Sequence, residues 1–221
     1  MKTSRLLFCL FTAAWALLVL SGSIAALLLL ARPFFAAHVA LLDLSAHTPW
    51  TAAQIREGFG EMMDFCLLGT PFGTGVMHWS PSGMAHFSDC ARLFRLDFLV
   101  LLLSALALAA GWVLYRRGAR PARPLGRSCT FWAGLLLSGS FLAIGLLAAL
   151  DFDRAFVVFH RLFFPGKSNW LFDPAADEII RVLPQVFFRN CAIAIAAFLV
   201  LGCAALILSD LRRKPKKRTR R

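Results

Sequence analysis

Charged side chains are absent from four stretches of the chain, residues 6–31, 98–115, 128–150 and 191–209. Each matches the roughly 17–25 apolar residues that a helix needs to cross a bilayer core. The pattern therefore predicts four transmembrane helices. Between them, residues 116–127 and 210–221 are short and basic, whereas residues 32–97 and 151–190 mix both charges with apolar positions. The first apolar stretch follows Lys2 and Arg5, as the core of a secretion signal would. Its 26 uncharged residues far exceed the roughly 7–15 of such a core, and no small-residue cleavage site follows, so it reads as a retained span.

In the mixed segments the periodicity changes. Thr51 and Gln54 have capping-box spacing. After them Ile55, Phe59, Met62 and Cys66 recur at helical intervals, and Arg56, Glu57, Glu61 and Asp64 fill the opposite side. That predicts an amphipathic helix, ended by the breakers of Gly69-Thr-Pro-Phe-Gly-Thr-Gly75. Ser82 is placed to cap a further helix, which carries His86, Asp89, Arg92 and Leu93 and runs on into the second span. Residues 153–164 read as helix up to Pro165-Gly166. Asp173-Pro174, with Asp177 and Glu178 behind it, is a helix-start signal and predicts a helix that reaches Leu183-Pro184. The stretch around His38 and His47 has no assignable pattern. Neither mixed segment is long enough for an independent domain with a generous core. Together they suit one small, mainly helical cap on an all-α membrane protein with four transmembrane helices.

Composition agrees, since 59% of the 221 residues are hydrophobic and 21 are Phe, well beyond the apolar share of a soluble domain. Charge then orients the bundle. With a cytoplasmic N-terminus, 15 of the 24 Lys and Arg fall inside, against one of the 12 acids, Asp210. This positive-inside bias places both termini in the cytoplasm and the cap outside the cell membrane. The net charge of +12 raises the question of nucleic acid. A basic tail beside a span more often orients the span and touches anionic lipid, so membrane lipid is the expected partner and nucleic acid is not. The six Cys form no C-x-x-C pair. Only Cys66 and Cys90 share an outer segment, and nothing in the sequence requires a disulfide between them.

All five His lie in the outer segments. His38, His47 and His78 read as solvated or capping residues. His86 and His160 differ in context. On a helix, Asp89 is the i+3 neighbour of His86 and can orient or charge its ring. His160 has Phe156, Phe163 and Phe164 at i−4, i+3 and i+4. Such an apolar face disfavours the imidazolium and keeps a neutral ring able to accept a proton. A packed structural role and a catalytic pair both suit these residues. Other chemistries lack their residues. There is no zinc-ligand spacing, no His inside the spans for haem, no G-x-S-x-G, and PFGTGVMHW lacks the G-K-[ST] of a phosphate loop. No metal or other cofactor is expected.

The stretch FHRLFFPGKSNWLFDPAADEIIRVLPQVFF, residues 159–188, resembles a signature of the lipoprotein intramolecular transacylase family, roughly F-H-x-x-F-F, then W-x-F-D-P-x-x-D, then L-P-x-x-F-F. The stretch from His86 to Leu93 resembles a second signature that opens H-x-x-D. Cys90 stands where that signature has Val, and Ser82-Gly-Met-Ala85 lacks an acidic residue usual before the first His. The resemblance implies acyl transfer on the outer leaflet. The substrate would be a diacylglyceryl-modified bacterial lipoprotein, whose sn-2 acyl chain moves to its own N-terminal α-amine to give a lyso-form. It further implies His160 as base and His86 as its partner, with Asp89 orienting His86. Arg92 and Asp173 become supporting residues, with surface-charge and N-cap roles as their alternatives. Phe156, Phe159, Phe163, Phe164 and Trp170 would form an acyl-binding wall that excludes water. Two rival readings are a non-catalytic accessory protein whose cap binds a partner or lipid, and a transporter component, which the uncharged spans disfavour.

Overall fold

A computed structural model describes residues 4–212, so Lys2 and the basic residues beyond Arg212 lie outside the described residues. Among the described residues seven α-helices follow in order: α1 Arg5–Leu29, α2 Ala31–Leu41, α3 Ala52–Leu68, α4 Pro81–Arg116, α5 Cys129–Leu150, α6 Phe152–Phe163 and α7 Gln185–Leu211. Helices α1, α4, α5 and α7 are long and apolar enough to cross a membrane, and only 11–17% of their apolar windows is buried within the protein. Side chains this oily and this exposed require a lipid solvent. Helix α4, at 36 residues, spans about 54 Å, far more than the roughly 30 Å of a hydrocarbon core. Its first turns, with His86, Asp89 and Arg92, extend past the apolar span.

The chain divides into two compact units. One comprises Met1–Ser23, Leu99–Gly145 and Ala196–Arg221. Within it Ala133 and Leu199 are fully buried, and the Asp210 carboxylate accepts from the Ser128 N–H at 3.0 Å and from Arg123 and Arg127 at 3.5 and 3.3 Å.

The other unit comprises Ile24–Phe98 and Leu146–Ile195. Its core forms where α2 packs on α3. Phe35 stacks on Phe59 with ring centroids 3.9 Å apart, and Phe187 meets both edge-on. The capping box at Thr51 is formed in both directions. The apolar face Ile55, Phe59, Met62 and Cys66 is buried, each large side chain contributing about 1.5–3 kcal/mol relative to exposure. Gly69 ends the helix at φ 76°, a left-handed conformation that suits glycine.

Three local expectations need correction. The segment after Asp173 is a turn followed by a five-residue 3-10 helix, Glu178–Val182, rather than an α-helix. Asp173 Oδ1 accepts from the Ala175 N–H at 2.9 Å, closing a tight turn, while the acids meant for a first helical turn bind elsewhere. Asp177 accepts from the Ser80 N–H and Oγ, both at 2.8 Å, and Glu178 accepts from the His78 N–H at 2.7 Å. Secondly, Ser80 and not Ser82 caps α4, its Oγ accepting from the Gly83 N–H at 3.0 Å, with Pro81 as first helical residue. A Cβ on Gly83 would lie 2.1 Å from Asp177 Oδ1, so only glycine admits this carboxylate to the helix start. Lastly, the patternless stretch contains α2. Its His38 is buried, with Nδ1 donating to the Phe34 carbonyl at 2.8 Å and Nε2 accepting from Asn190 at 3.0 Å. His78 Nδ1 donates to the Ala176 carbonyl at 2.9 Å, and His47 is exposed as expected. Cys66 and Cys90 are both free thiols.

Candidate active site

The turn from Asp173 to Glu178 grips the start of α4 two turns before His86. That fixes the second mixed segment against the helix that carries the first histidine. Helix α6 starts one residue after α5 ends, with Asp151 Oδ1 capping the Arg154 N–H at 2.9 Å, and presents His160 on its last turn. Pro165-Gly166 then turns the chain back, so Trp170 and Phe172 return to the same place.

The two imidazoles lie with ring centroids 5.9 Å apart, at 31° to one another. His86 packs against Phe87, Phe164 and Phe172 at 5.8, 4.9 and 5.3 Å. Around His160 stand Phe156 at 4.2 Å, Phe159 at 5.5 Å, Phe164 at 5.8 Å and a stacked Trp170 at 4.7 Å. Phe163 instead packs on Phe159 and stays 45% exposed, because it lies on the outward arc of α6. Five of the aromatic rings of this segment thus face an imidazole, and Phe163 does not.

Burial keeps both rings neutral. His86 is 5% exposed, and its pKa is pushed down to about 4, chiefly by desolvation and then by His160 and Lys167, against an upward pull from Asp89. Desolvation likewise lowers His160, opposed by its hydrogen bond to Phe156. That bond also sets the tautomer. The Phe156 carbonyl can only accept, so Nδ1 of His160, 2.8 Å away, carries the proton and Nε2 keeps its lone pair. His160 thus presents at Nε2 a lone pair that can accept a proton.

Asp89 does not hydrogen-bond His86. Its carboxylate takes Lys167 Nζ at 2.5 and 2.6 Å, Arg92 at 2.8 Å and Asn169 Nδ2 at 3.4 Å. Burial would raise its pKa, but those bonds and charges outweigh burial and hold it below the usual carboxylate value. Lys167 and Asn169 are not among the residues that the sequence pattern singles out. Their signal was two polar donors in the loop directly after α6. Arg92 is largely exposed and pairs with Asp89, while Asp173 is an exposed turn former. Two buried polar atoms in this cluster, His86 Nδ1 and Asn169 Oδ1, have no protein partner. Leaving such atoms unpaired costs about 1–3 kcal/mol each, and a bound molecule can supply what they lack.

The model for the family described as lipoprotein intramolecular transacylase Lit matches residues 9–188, a range that includes both histidines. The chain belongs to the lipoprotein intramolecular transacylase family. It is an enzyme, and its class is transacylase. The structure of membrane integral lipoprotein intramolecular transacylase Lit from Bacillus cereus shares its fold, with a TM-score of 0.81 at 21% identity, covering 93% of each chain. Two further structures of the Bacillus cereus protein have one histidine replaced by arginine or by alanine. Both have a TM-score of 0.74 at 20% identity, over 94% of this chain and 91% or 93% of the other. No curated protein matches by sequence at a significant level.

Proposed function

We propose that this transacylase moves the sn-2 acyl chain of a diacylglyceryl-cysteine lipoprotein to the N-terminal α-amine of the same lipoprotein, leaving a lyso-form. The observation that carries this reading is the pair of neutral imidazoles, 5.9 Å apart inside an aromatic enclosure. Ester-to-amine transfer within one molecule needs the amine and carbonyl held together, a base for the amine proton and a donor for the carbonyl oxygen. Water must also be kept from the ester. His160 Nε2 takes the proton as the amine nitrogen attacks the ester carbon and the new C–N bond forms. His86 donates to the resulting oxyanion. Collapse breaks the bond to the sn-2 glycerol oxygen, which receives the proton from the His160 imidazolium. The products are an amide and a free glycerol hydroxyl. The faces of Phe156, Phe164, Trp170 and Phe172 suit acyl chains, and Asp89 on α4 holds the loop of Lys167 and Asn169 in place beside His86.

In this reading the cap faces outward and both termini are cytoplasmic, supported by the 15 basic residues on the cytoplasmic side. Reporter fusions after Arg123 should read cytoplasmic and one after Trp79 external. The decisive experiment is mass spectrometry of a lipoprotein N-terminal peptide from cells with and without this protein. An amide-linked acyl chain with a monoacylglyceryl thioether, present only with the protein, is expected. Identical peptides from both cells would overturn the proposal.

A further inference from the structure

His86 and Cys90 stand one turn apart on α4, and Cys90 Sγ lies 3.5 Å from Nε2 of the imidazole. The other ring nitrogen, Nδ1, is buried without a protein partner. We infer that Cys90 is a positioning residue: its S–H donates to His86 Nε2, so the ring proton sits on Nδ1 and Nδ1–H points at the reacting carbonyl oxygen. This rests on the proposed role of His86 as donor to the oxyanion.

The direction of the bond follows from the two atoms. A neutral imidazole nitrogen is a good acceptor, whereas sulfur accepts weakly and S–H can donate. The thiol also keeps its proton, because burial, followed by the nearby Cys66 and Asp89, raises its pKa well above the ordinary thiol value. No other described group makes a hydrogen bond that could choose the His86 tautomer. Asp89, the natural candidate at i+3, is committed to Lys167, Arg92 and Asn169. His160 shows the contrasting device, since a backbone carbonyl one turn back pins its Nδ1–H. The two rings are thereby given complementary faces. One offers a lone pair at Nε2 and the other a proton at Nδ1, which is what a base and an oxyanion donor require. An aliphatic side chain at this position could not donate, so the device depends on the thiol of this chain.

The test combines two readouts on the purified full chain, the ¹⁵N shifts of the His86 ring nitrogens and the steady-state transacylation of a diacylated lipopeptide. In the wild-type protein His86 should be the Nδ1–H tautomer. Cys90→Val, close in volume and apolar, should mix the tautomers and lower kcat by roughly fivefold with KM unchanged. Cys90→Ser, which keeps a donor, should hold the Nδ1–H form and recover most of kcat. An Nε2–H tautomer in the wild-type protein, or unchanged tautomer and kcat in Cys90→Val, overturns the inference. His86→Ala separates the two levels. If it remains active, the donor role itself fails; if it is inactive while Cys90→Val changes nothing, only the role of Cys90 fails.

Discussion

Asp89 and Asp210 look alike at first. Each is a buried carboxylate, with its side chain 6% and 2% exposed, and each is met by two cations. Asp210 also accepts the Ser128 N–H, so its three partners close a staple between the start of α5 and the end of α7. Asp89 is satisfied by Lys167, Arg92 and Asn169, but it sits three residues from a histidine that it leaves unbonded. The carboxylate draws the cations to itself, and the adjacent imidazoles stay uncharged in their aromatic enclosure. Pairing fixes structure at both places; at Asp89 it does so beside two imidazoles that burial keeps neutral. Removing groups on each side of this comparison should therefore separate stability from turnover.

The largest effect is expected at the rings. His160→Ala or His86→Ala should lower conversion of a diacylated lipopeptide per mole of folded protein by about a hundredfold or more, with helicity retained by circular dichroism. His38→Ala is the control. Its ring is equally buried, between Phe34 and Asn190, so its loss should lower the melting temperature while conversion per folded molecule stays within about twofold. Wild-type conversion by either His86→Ala or His160→Ala would falsify the two-histidine mechanism.

Next come the carboxylates. Asp89→Asn removes a charged acceptor from Lys167 and Arg92. Both cations retain partial access to water, so the cost should be about 2–3 kcal/mol, near the value of a charged hydrogen bond. His86 stays neutral, since Asp89 is the one group that raises its pKa, but the loop that Lys167 and Asn169 tie to Asp89 beside His86 is loosened, and conversion per folded molecule should fall measurably. Asp210→Asn should lower stability alone. Equal turnover losses in the two variants would erase the distinction drawn above.

What could be read from the sequence was whatever the chain decides locally. The Thr51 capping box, the Ile55–Phe59–Met62–Cys66 face and the four apolar spans each rest on contacts within a few residues, or on solvent preference, and each stands in the structure. The turn after Asp173 was misread because its acids serve partners about a hundred positions away, at Ser80 and His78. No periodicity encodes such a bond. The same holds in the site. His86 stood out for the carboxylate three residues on and His160 for its apolar face, but that Asp89 prefers Lys167 over its helical neighbour depends on where the Pro165-Gly166 turn sends the loop. His38 escaped because its acceptor and donor, Phe34 and Asn190, come from its own helix and from a distant one.

Acid should test the neutral pair. His86 has a folded pKa near 4 against an ordinary 6.5, so the unfolded chain binds more protons between those values and stability rises with pH there. The contribution is complete above about pH 6.5 and is lost as pH falls toward 4; the lowered pKa of His160 acts in the same sense. Allowing for partial solvent access, the loss should be about 2 kcal/mol. Thermal melts at pH 7 and pH 4.5 should show it in the wild-type protein and less of it in His86→Ala.

The smallest effect belongs to the rim of the Asp210 staple. Arg127 and Arg123 reach the carboxylate at 3.3 and 3.5 Å and are 42% and 54% exposed. Screening by water limits each such pair to about 0–1 kcal/mol. Asp210 keeps the Ser128 N–H at 3.0 Å when either arginine is removed, so no buried charge is stranded. Arg127 also lies over the Phe131 ring at 4.9 Å, which adds about 0.5–1 kcal/mol at an exposed site. Arg127→Ala should therefore lower stability by about 1 kcal/mol, with Arg123→Ala costing less because it has no such ring beneath it. Both should leave turnover per folded molecule unchanged. A double variant that lowers stability by much more than the two single losses combined would show that the arginines, and not the Ser128 amide, hold Asp210 in its charged form.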